Sequence, residues 1–186
     1  MAQSQDQGRE NSYLRWSGSP TFNREIPAEE KRAIATFPLP TTIADLRNFL
    51  GLCGYHQKFI KGYVFIAEPL LSLSNQPKLM WNYELMDIFH KLRALIRDAP
   101  LLRFPTPTDR LRVFVEVTDR GYCGYIELCY IGQEFPWIPV SHFSKLWKSE
   151  EKKLSVAIRK NRALEMILCV FSPYTTEAPL TKITFV

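Results

Sequence analysis

Phosphoryl transfer and phosphodiester hydrolysis by two metal ions need several carboxylates gathered around the cations. This 186-residue chain has 19 Asp and Glu residues but no Asp-Asp pair anywhere. Its three histidines, His56, His90 and His142, are scattered, with no partner motif that would make one of them a catalytic base. Its four cysteines, Cys53, Cys123, Cys129 and Cys169, form no Cys-x-x-Cys unit and match no zinc spacing. They read as small core thiols, reduced in a cytosolic or nuclear setting. No metal and no cofactor is expected. The groups that do cluster are cationic. Lys145, Lys148, Lys152, Lys153, Arg159, Lys160 and Arg162 are opposed only by Glu150 and Glu151, a local charge of +5 that equals the net charge of the whole chain. Such a segment can neutralise phosphates and release counterions. Its bland counterpart is a solvated helix face.

The elements that must position these groups follow from pattern. Hydrophobic residues at 46% and charged residues at 23% are ordinary for a globular chain. No apolar run approaches the length of a membrane span. The first 20 residues lack the apolar core of a secretory signal, so the chain reads as not secreted. After a polar, disordered start, Tyr13 to Trp16 is a short apolar island. A helix is predicted from Pro27 to Thr36, with Glu29 and Glu30 at its positive end, and Pro38 and Pro40 make a stiff connector. Thr42 and Asp45 outline a capping box for the next helix, which buries Ile43, Leu46, Phe49, Leu50 and Cys53. Its opposite face, Ala44, Asn48, Gly51, Leu52 and Tyr55, is small and uncharged, which suits either close approach to a narrow groove or burial against another part of the protein. A short helix is predicted over 67–73 and a strong amphipathic one over 84–97, ended by Asp98-Ala99-Pro100. Then the period changes. Leu111 to Val115 alternate as a strand, 121–124 read as a turn, and 125–131 and 137–143 as further strands, with Pro139 marking an edge or a bulge. A long helix over 149–170 closed by Pro173, and a strand over 180–186, complete the pattern. The fold class is therefore α+β, a helical first half followed by a small mixed α/β layer.

These residues resemble a known family. Phe37-Pro-Leu-Pro-Thr-Thr-Ile-Ala-Asp-Leu-Arg-Asn-Phe-Leu-Gly-Leu-Cys-Gly-Tyr55 looks like the thumb of retroviral and retrotransposon reverse transcriptases. Lys58-Phe-Ile-Lys-Gly-Tyr63, Ala67-Glu-Pro-Leu70, Trp81 and Ala99-Pro-Leu-Leu102 continue the match in order. Phe114 to Glu116, Gly124, Pro139-Val140, Ser144-Lys145 and Ile158-Arg159 resemble the ribonuclease-H-like connection domain that follows the thumb, most nearly of the gammaretroviral type. Tyr13 to Trp16 resembles the segment after the primer-gripping hairpin. The resemblance implies a Pol polyprotein piece: 1–23 a start and remnant after the palm, 24–99 the thumb-like region, and 100–186 an RNase H-like connection domain incomplete at its C-terminus.

What the resemblance implies about chemistry is mostly negative. The family's polymerase carboxylates sit on a Tyr-x-Asp-Asp turn, which this sequence lacks. Glu116 stands where active ribonucleases H carry their first Asp, and Arg159 stands where they carry a Glu. A guanidinium cannot ligate a cation, so a non-catalytic pseudoenzyme is expected. In relatives the thumb helix follows the minor groove of the primer–template duplex. Carried over, Asn48, Gly51, Leu52 and Tyr55 would face an RNA–DNA or DNA duplex, with Arg47, Lys58, Lys61, Lys152, Lys153 and Lys160 as non-specific phosphate contacts. Three readings stand: a retroelement remnant that binds nucleic acid, a host-retained module whose exposed apolar faces take a protein partner, and a fragment or subunit of an active reverse transcriptase.

Overall fold

The computed structural model describes residues 23–186 apart from 131 and 135. The expected start and the Tyr13–Trp16 island lie outside the described residues. The first half is built from α1 (Ala28–Ala35), α2 (Ile43–Tyr55), α3 (Tyr63–Leu73) and α4 (Tyr83–Arg97). The capping box of α2 forms in full: the Asp45 N–H donates to Thr42 Oγ1 at 3.1 Å, and the Thr42 N–H donates back to the Asp45 carboxylate at 3.0 Å. The Thr42 side-chain bond leads the interactions that hold the Asp45 carboxyl below the ordinary carboxylate range. Asn82 caps α4 in the same sense, accepting from the Leu85 N–H at 2.8 Å.

The third helix departs from expectation. It begins at Tyr63, four residues before the predicted start, and runs through Pro69. Gly62, at φ 64°, turns the chain into it. One of the N–H groups that any helix start leaves without a partner, that of Val64, donates to Ser144 Oγ at 3.0 Å in the second half of the molecule. A tertiary contact thus supplies a cap that no local residue signals.

The helical core centres on Phe49, fully buried, with its ring 5.4 Å from Phe37 and 4.6 Å from Phe89. Trp81 packs edge-on to Phe89 and donates its indole N–H to the Pro40 carbonyl at 2.8 Å, which pins the proline connector across the bundle. A short antiparallel ladder of β1 (Asn23–Arg24) with β2 (Leu102–Arg103) ties the two ends of this half together.

The second half is a four-stranded mixed sheet of β3 (Asp109–Val117), β4 (Gly121–Tyr130), β5 (Ile138–Leu146) and β6 (Leu180–Phe185), in the order β5-β4-β3-β6. The first three strands are antiparallel, and β6 returns parallel to β3 after α5 (Val156–Thr175). Leu111, Val113 and Val115 of β3 pack with Ala163, Ile167 and Phe171 of α5 in a second core. Pro139 lies on the edge strand β5, opposite a register irregularity at Ile126/Glu127, as the sequence predicts.

Three expectations are corrected by the structure. Residues 121–124 are not a turn but the start of β4; the chain reverses at Thr118–Arg120. The glycines are explained by crowding. A Cβ on Gly121 would sit 2.2 Å from the Lys145 carbonyl, and one on Gly124 2.7 Å from Ile167. The last helix starts at Val156, not 149, because Glu151 instead closes a short turn by accepting the Lys148 N–H at 2.9 Å. Ser155 is the N-cap, accepting from the Ile158 N–H. Pro173 sits inside α5 rather than ending it. It cannot bond the Cys169 carbonyl one turn back, and Ser172 Oγ donates to that carbonyl at 2.9 Å instead.

The two halves meet on the sheet face opposite α5. His142 Nδ1 donates to the Lys58 carbonyl at 3.0 Å, Arg120 pairs with Glu68 at 3.0 Å, and the Lys61 ammonium rests 4.1 Å from the Tyr125 ring centre. Burial pushes the His142 imidazole below its ordinary value, against the opposing pull of that carbonyl. Burial does the same at His56, where Glu30, 2.9 Å away, resists it. A histidine depressed by folding takes up its proton mainly in the unfolded chain. The stability from these two groups is therefore full above the unfolded value of about 6.5 and is lost as pH falls below it. Urea midpoints should drop between about pH 7.5 and 5.5, and His142→Asn should flatten the slope. A midpoint independent of pH over that range would refute this account.

Candidate nucleic-acid interface

Asn48, Gly51, Leu52 and Tyr55 fall at helical spacing on one face of α2, and all four are exposed. The alternative of burial against another part of the protein is not what the fold adopts. Ala44, also exposed, extends the strip toward the helix start. Leu52 is 39% and Tyr55 63% exposed, so the strip is apolar without being hidden. At its centre Gly51 has nothing among the described residues within 4 Å of where a Cβ would stand. Glycine inside a helix costs about 0.5–1 kcal/mol relative to alanine, and no contact among the described residues explains that cost.

The cations expected beside this strip are placed unequally. Arg47 spends Nε and Nη2 on the Ser74 carbonyl, at 3.2 and 2.8 Å, where they close the end of α3. Lys58 is half-buried, with its ammonium 5.9 Å from the Tyr55 ring centre; burial and then the Arg24 charge lower its pKa. Lys61 is exposed, and its ammonium leans on Tyr125. Lys58 and Lys61 follow α2 directly, whereas Arg47 acts first as a helix cap.

The basic run over 145–162 does not form one helix. Lys145 ends β5, Lys152 and Lys153 lie on a short 3-10 turn, and Arg159, Lys160 and Arg162 ride on α5. Lys152, Lys153 and Lys160 are exposed and have no ion-pair partner among the described residues, whereas Arg162 pairs with Glu151 at 3.6 Å. Arg159 is buried. Its Nη2 donates to Asp119 at 3.0 Å and its Nη1 reaches the Thr118 carbonyl, which Trp147 Nε1 also bonds at 2.9 Å. Arg159 thus braces the Thr118–Arg120 turn.

Glu116 is elsewhere. Val115 faces α5, so strand alternation puts Glu116 on the other face of the sheet. There the Cys123 thiol donates to it at 3.5 Å. The two positions that resemble nuclease carboxylates are therefore not brought together. Among the described residues no group of three or more His, Cys, Asp or Glu could hold a metal ion. Burial pushes the thiols of both Cys53 and Cys123 up to about 12, which keeps them protonated and unreactive. His90 is exposed on α4. Among the described residues no helix is long and apolar enough to cross a membrane.

Sequence pattern gave no notice of a stack on the sheet face that meets the helical half. The Phe114 and Tyr125 rings lie parallel, 4.5 Å apart. Lys61 covers the outer side of Tyr125, and Arg112 stands 5.0 Å from Phe114 and 3.9 Å from Trp137. Its one signal is the alternation of Arg112, Phe114 and Glu116 along β3. The partners depend on cross-strand register, which alternation does not specify.

No protein-family model matches the chain. It is 41% identical over 113 residues to the retrovirus-related Pol polyprotein from transposon 297 of Drosophila melanogaster, a match covering 60% of this chain and 10% of that protein. It is 26% identical over 163 residues to the Gag-Pol polyprotein of feline leukemia virus, covering 87% of this chain and 9% of that one. The chain thus spans about a tenth of the length of these curated relatives. Its fold superposes on the foamy viral protease-reverse transcriptase in complex with double-stranded DNA, with a TM-score of 0.68 at 20% identity over 87% of this chain and 28% of that one. The same enzyme in complex with an RNA/DNA hybrid gives 0.66 at 19% identity, over 86% and 21%. In sequence the chain is a relative of a short stretch of retroviral and retrotransposon Pol polyproteins, and it has the fold of part of a retroviral reverse transcriptase.

Proposed function

We propose that this chain is a non-catalytic stretch of a retroelement reverse transcriptase that contacts a primer–template duplex, without sequence choice, through the exposed face of α2. The observation that carries the reading is Gly51. It weakens the helix it sits in and leaves open space where a side chain would stand, midway along an uncharged strip. A glycine there lets a duplex backbone or groove wall approach closely, and Asn48 can hydrogen-bond sugars or base edges on either side. Lys58 and Lys61 supply phosphate contacts next to the strip, and Lys152, Lys153 and Lys160 supply others from the second half. The foamy viral enzymes that share the fold are complexed with double-stranded DNA and with an RNA/DNA hybrid, which supports a duplex as the partner. The separation of Glu116 from Arg159, and the cation at the latter position, support the absence of hydrolysis.

The test is fluorescence anisotropy with an RNA–DNA hybrid and a DNA duplex. Affinity should fall steeply between about 50 and 200 mM salt, as counterion release demands. Gly51→Ala should raise thermal stability by about 0.5–1 kcal/mol and yet weaken duplex binding several-fold. Unchanged affinity in that variant would remove the interface from α2. With magnesium or manganese the protein should leave the hybrid intact, and cleavage abolished by Glu116→Gln would overturn the non-catalytic reading.

A further inference from the structure

A groove of about 320 Å³ opens between the Gln57–Phe59 turn, α3 and the last two turns of α4. Its floor is apolar: Phe59, Ile60, Ile66, Ala94 and Leu95. Its rim carries Lys61 and Lys91, both exposed, and Asp98. The Asp98 carboxylate is already occupied by Arg97, which donates to both of its oxygens at 2.8 and 2.6 Å. Lys91 has no ion-pair partner among the described residues. Lys31, which donates to the Ala99 carbonyl at 3.1 Å, adds another positive charge nearby. The groove therefore offers an apolar cleft edged by cations whose single carboxylate is neutralised. It has the pattern of an interface, an apolar centre with a polar rim, at the size of a small ligand site.

We propose that this groove binds a short acidic peptide, which seats a bulky apolar side chain on the Phe59–Leu95 floor and sets its carboxylates against Lys91 and Lys61. Nucleic acid fits it poorly. Phosphates laid over the floor would lose water and meet no donor there, whereas a peptide buries apolar surface on the floor and meets cations only at the rim. The groove shares no residue with the Asn48–Tyr55 strip itself; its rim has Lys61 in common with the phosphate contacts beside that strip, whereas Lys91 and the apolar floor belong to the groove alone. The inference does not depend on duplex binding.

The test is selection of random dodecapeptides displayed on phage against the full chain, followed by anisotropy of the enriched peptides. The expected result is a consensus with an aromatic or aliphatic residue flanked by two or more Asp or Glu. Its affinity should fall about tenfold in Lys91→Glu, a loss of about 1.4 kcal/mol. Lys91 is exposed, so this substitution leaves the core untouched, and circular dichroism of the variant is the check that it folds. A second variant, Ala94→Gln, narrows the floor without changing the charge and should also weaken binding. Failure to enrich any consensus, a basic consensus, or peptide affinity unchanged in both variants would each overturn the proposal. So would displacement of the peptide by a DNA duplex whose own binding is weakened by Lys91→Glu, which would assign the groove to nucleic acid.

Discussion

Phe49→Ala is expected to cost about 3–5 kcal/mol of folding stability. The ring is fully buried and held between Phe37 and Phe89, with Trp81 behind. These neighbours are rigid aromatic plates from α4 and from the segments that precede α2 and α4, and the Pro40 connector is pinned by the Trp81 indole. They cannot collapse into the space the ring leaves, so the full cavity cost is felt. A domain of this size has on the order of 5–15 kcal/mol in total, so this one change takes a large share of it. The urea midpoint should move by on the order of 2 M. Phe49→Leu should cost much less. A loss below about 1 kcal/mol for the alanine variant would mean that the core is not built around this residue.

Gly121→Ala should destabilise by about 1–3 kcal/mol, although it adds a single methyl. The new Cβ would stand 2.2 Å from the Lys145 carbonyl and 2.9 Å from Leu146 Cα. Those atoms belong to the backbone of the paired strand, so no rotamer change relieves the clash. The third neighbour, Phe65 at 3.0 Å, belongs to α3. Relief would therefore part β4 from β5 and push the helical half away from the sheet, beside the Arg120–Glu68 pair. Hydrogen exchange should quicken at the N–H of Trp147, which bonds the Arg120 carbonyl at 3.0 Å. An alanine variant as stable as the parent, with unchanged exchange at Trp147, would show that the strands are spaced more widely than described.

The same substitution, glycine to alanine, thus has opposite expected signs at positions 51 and 121. Both glycines lie inside regular elements, and local sequence does not separate them. Only the surroundings do, open space at one and a neighbouring backbone at the other. The turn predicted at 121–124 failed for the same reason. Glycine pairs are common in turns, but here they record close packing against β5 and α5.

Other features were legible because their causes are local. The capping box of α2 and the apolar stripe of α4 need only residues within a few positions of one another. Pro139 on an edge strand follows from its missing N–H. Where boundaries slipped, a distant or competing partner intervened: Ser144 capped α3, and Glu151 drew the chain into a turn ahead of α5. The basic run was visible as charge, but its division among a strand end, a turn and a helix was not.

The sequence by itself determined the α+β order of elements and the small uncharged composition of one face of α2, since each depends on residue type and short-range periodicity. Tertiary structure alone decided that Arg159 braces a turn on one side of the sheet while Glu116 meets Cys123 on the other. It also decided that Arg47 serves a helix end, and that an apolar groove opens beneath Lys91. These outcomes depend on strand register and on how one half seats against the other. Contacts between residues tens of positions apart set both, and no short-range period encodes them.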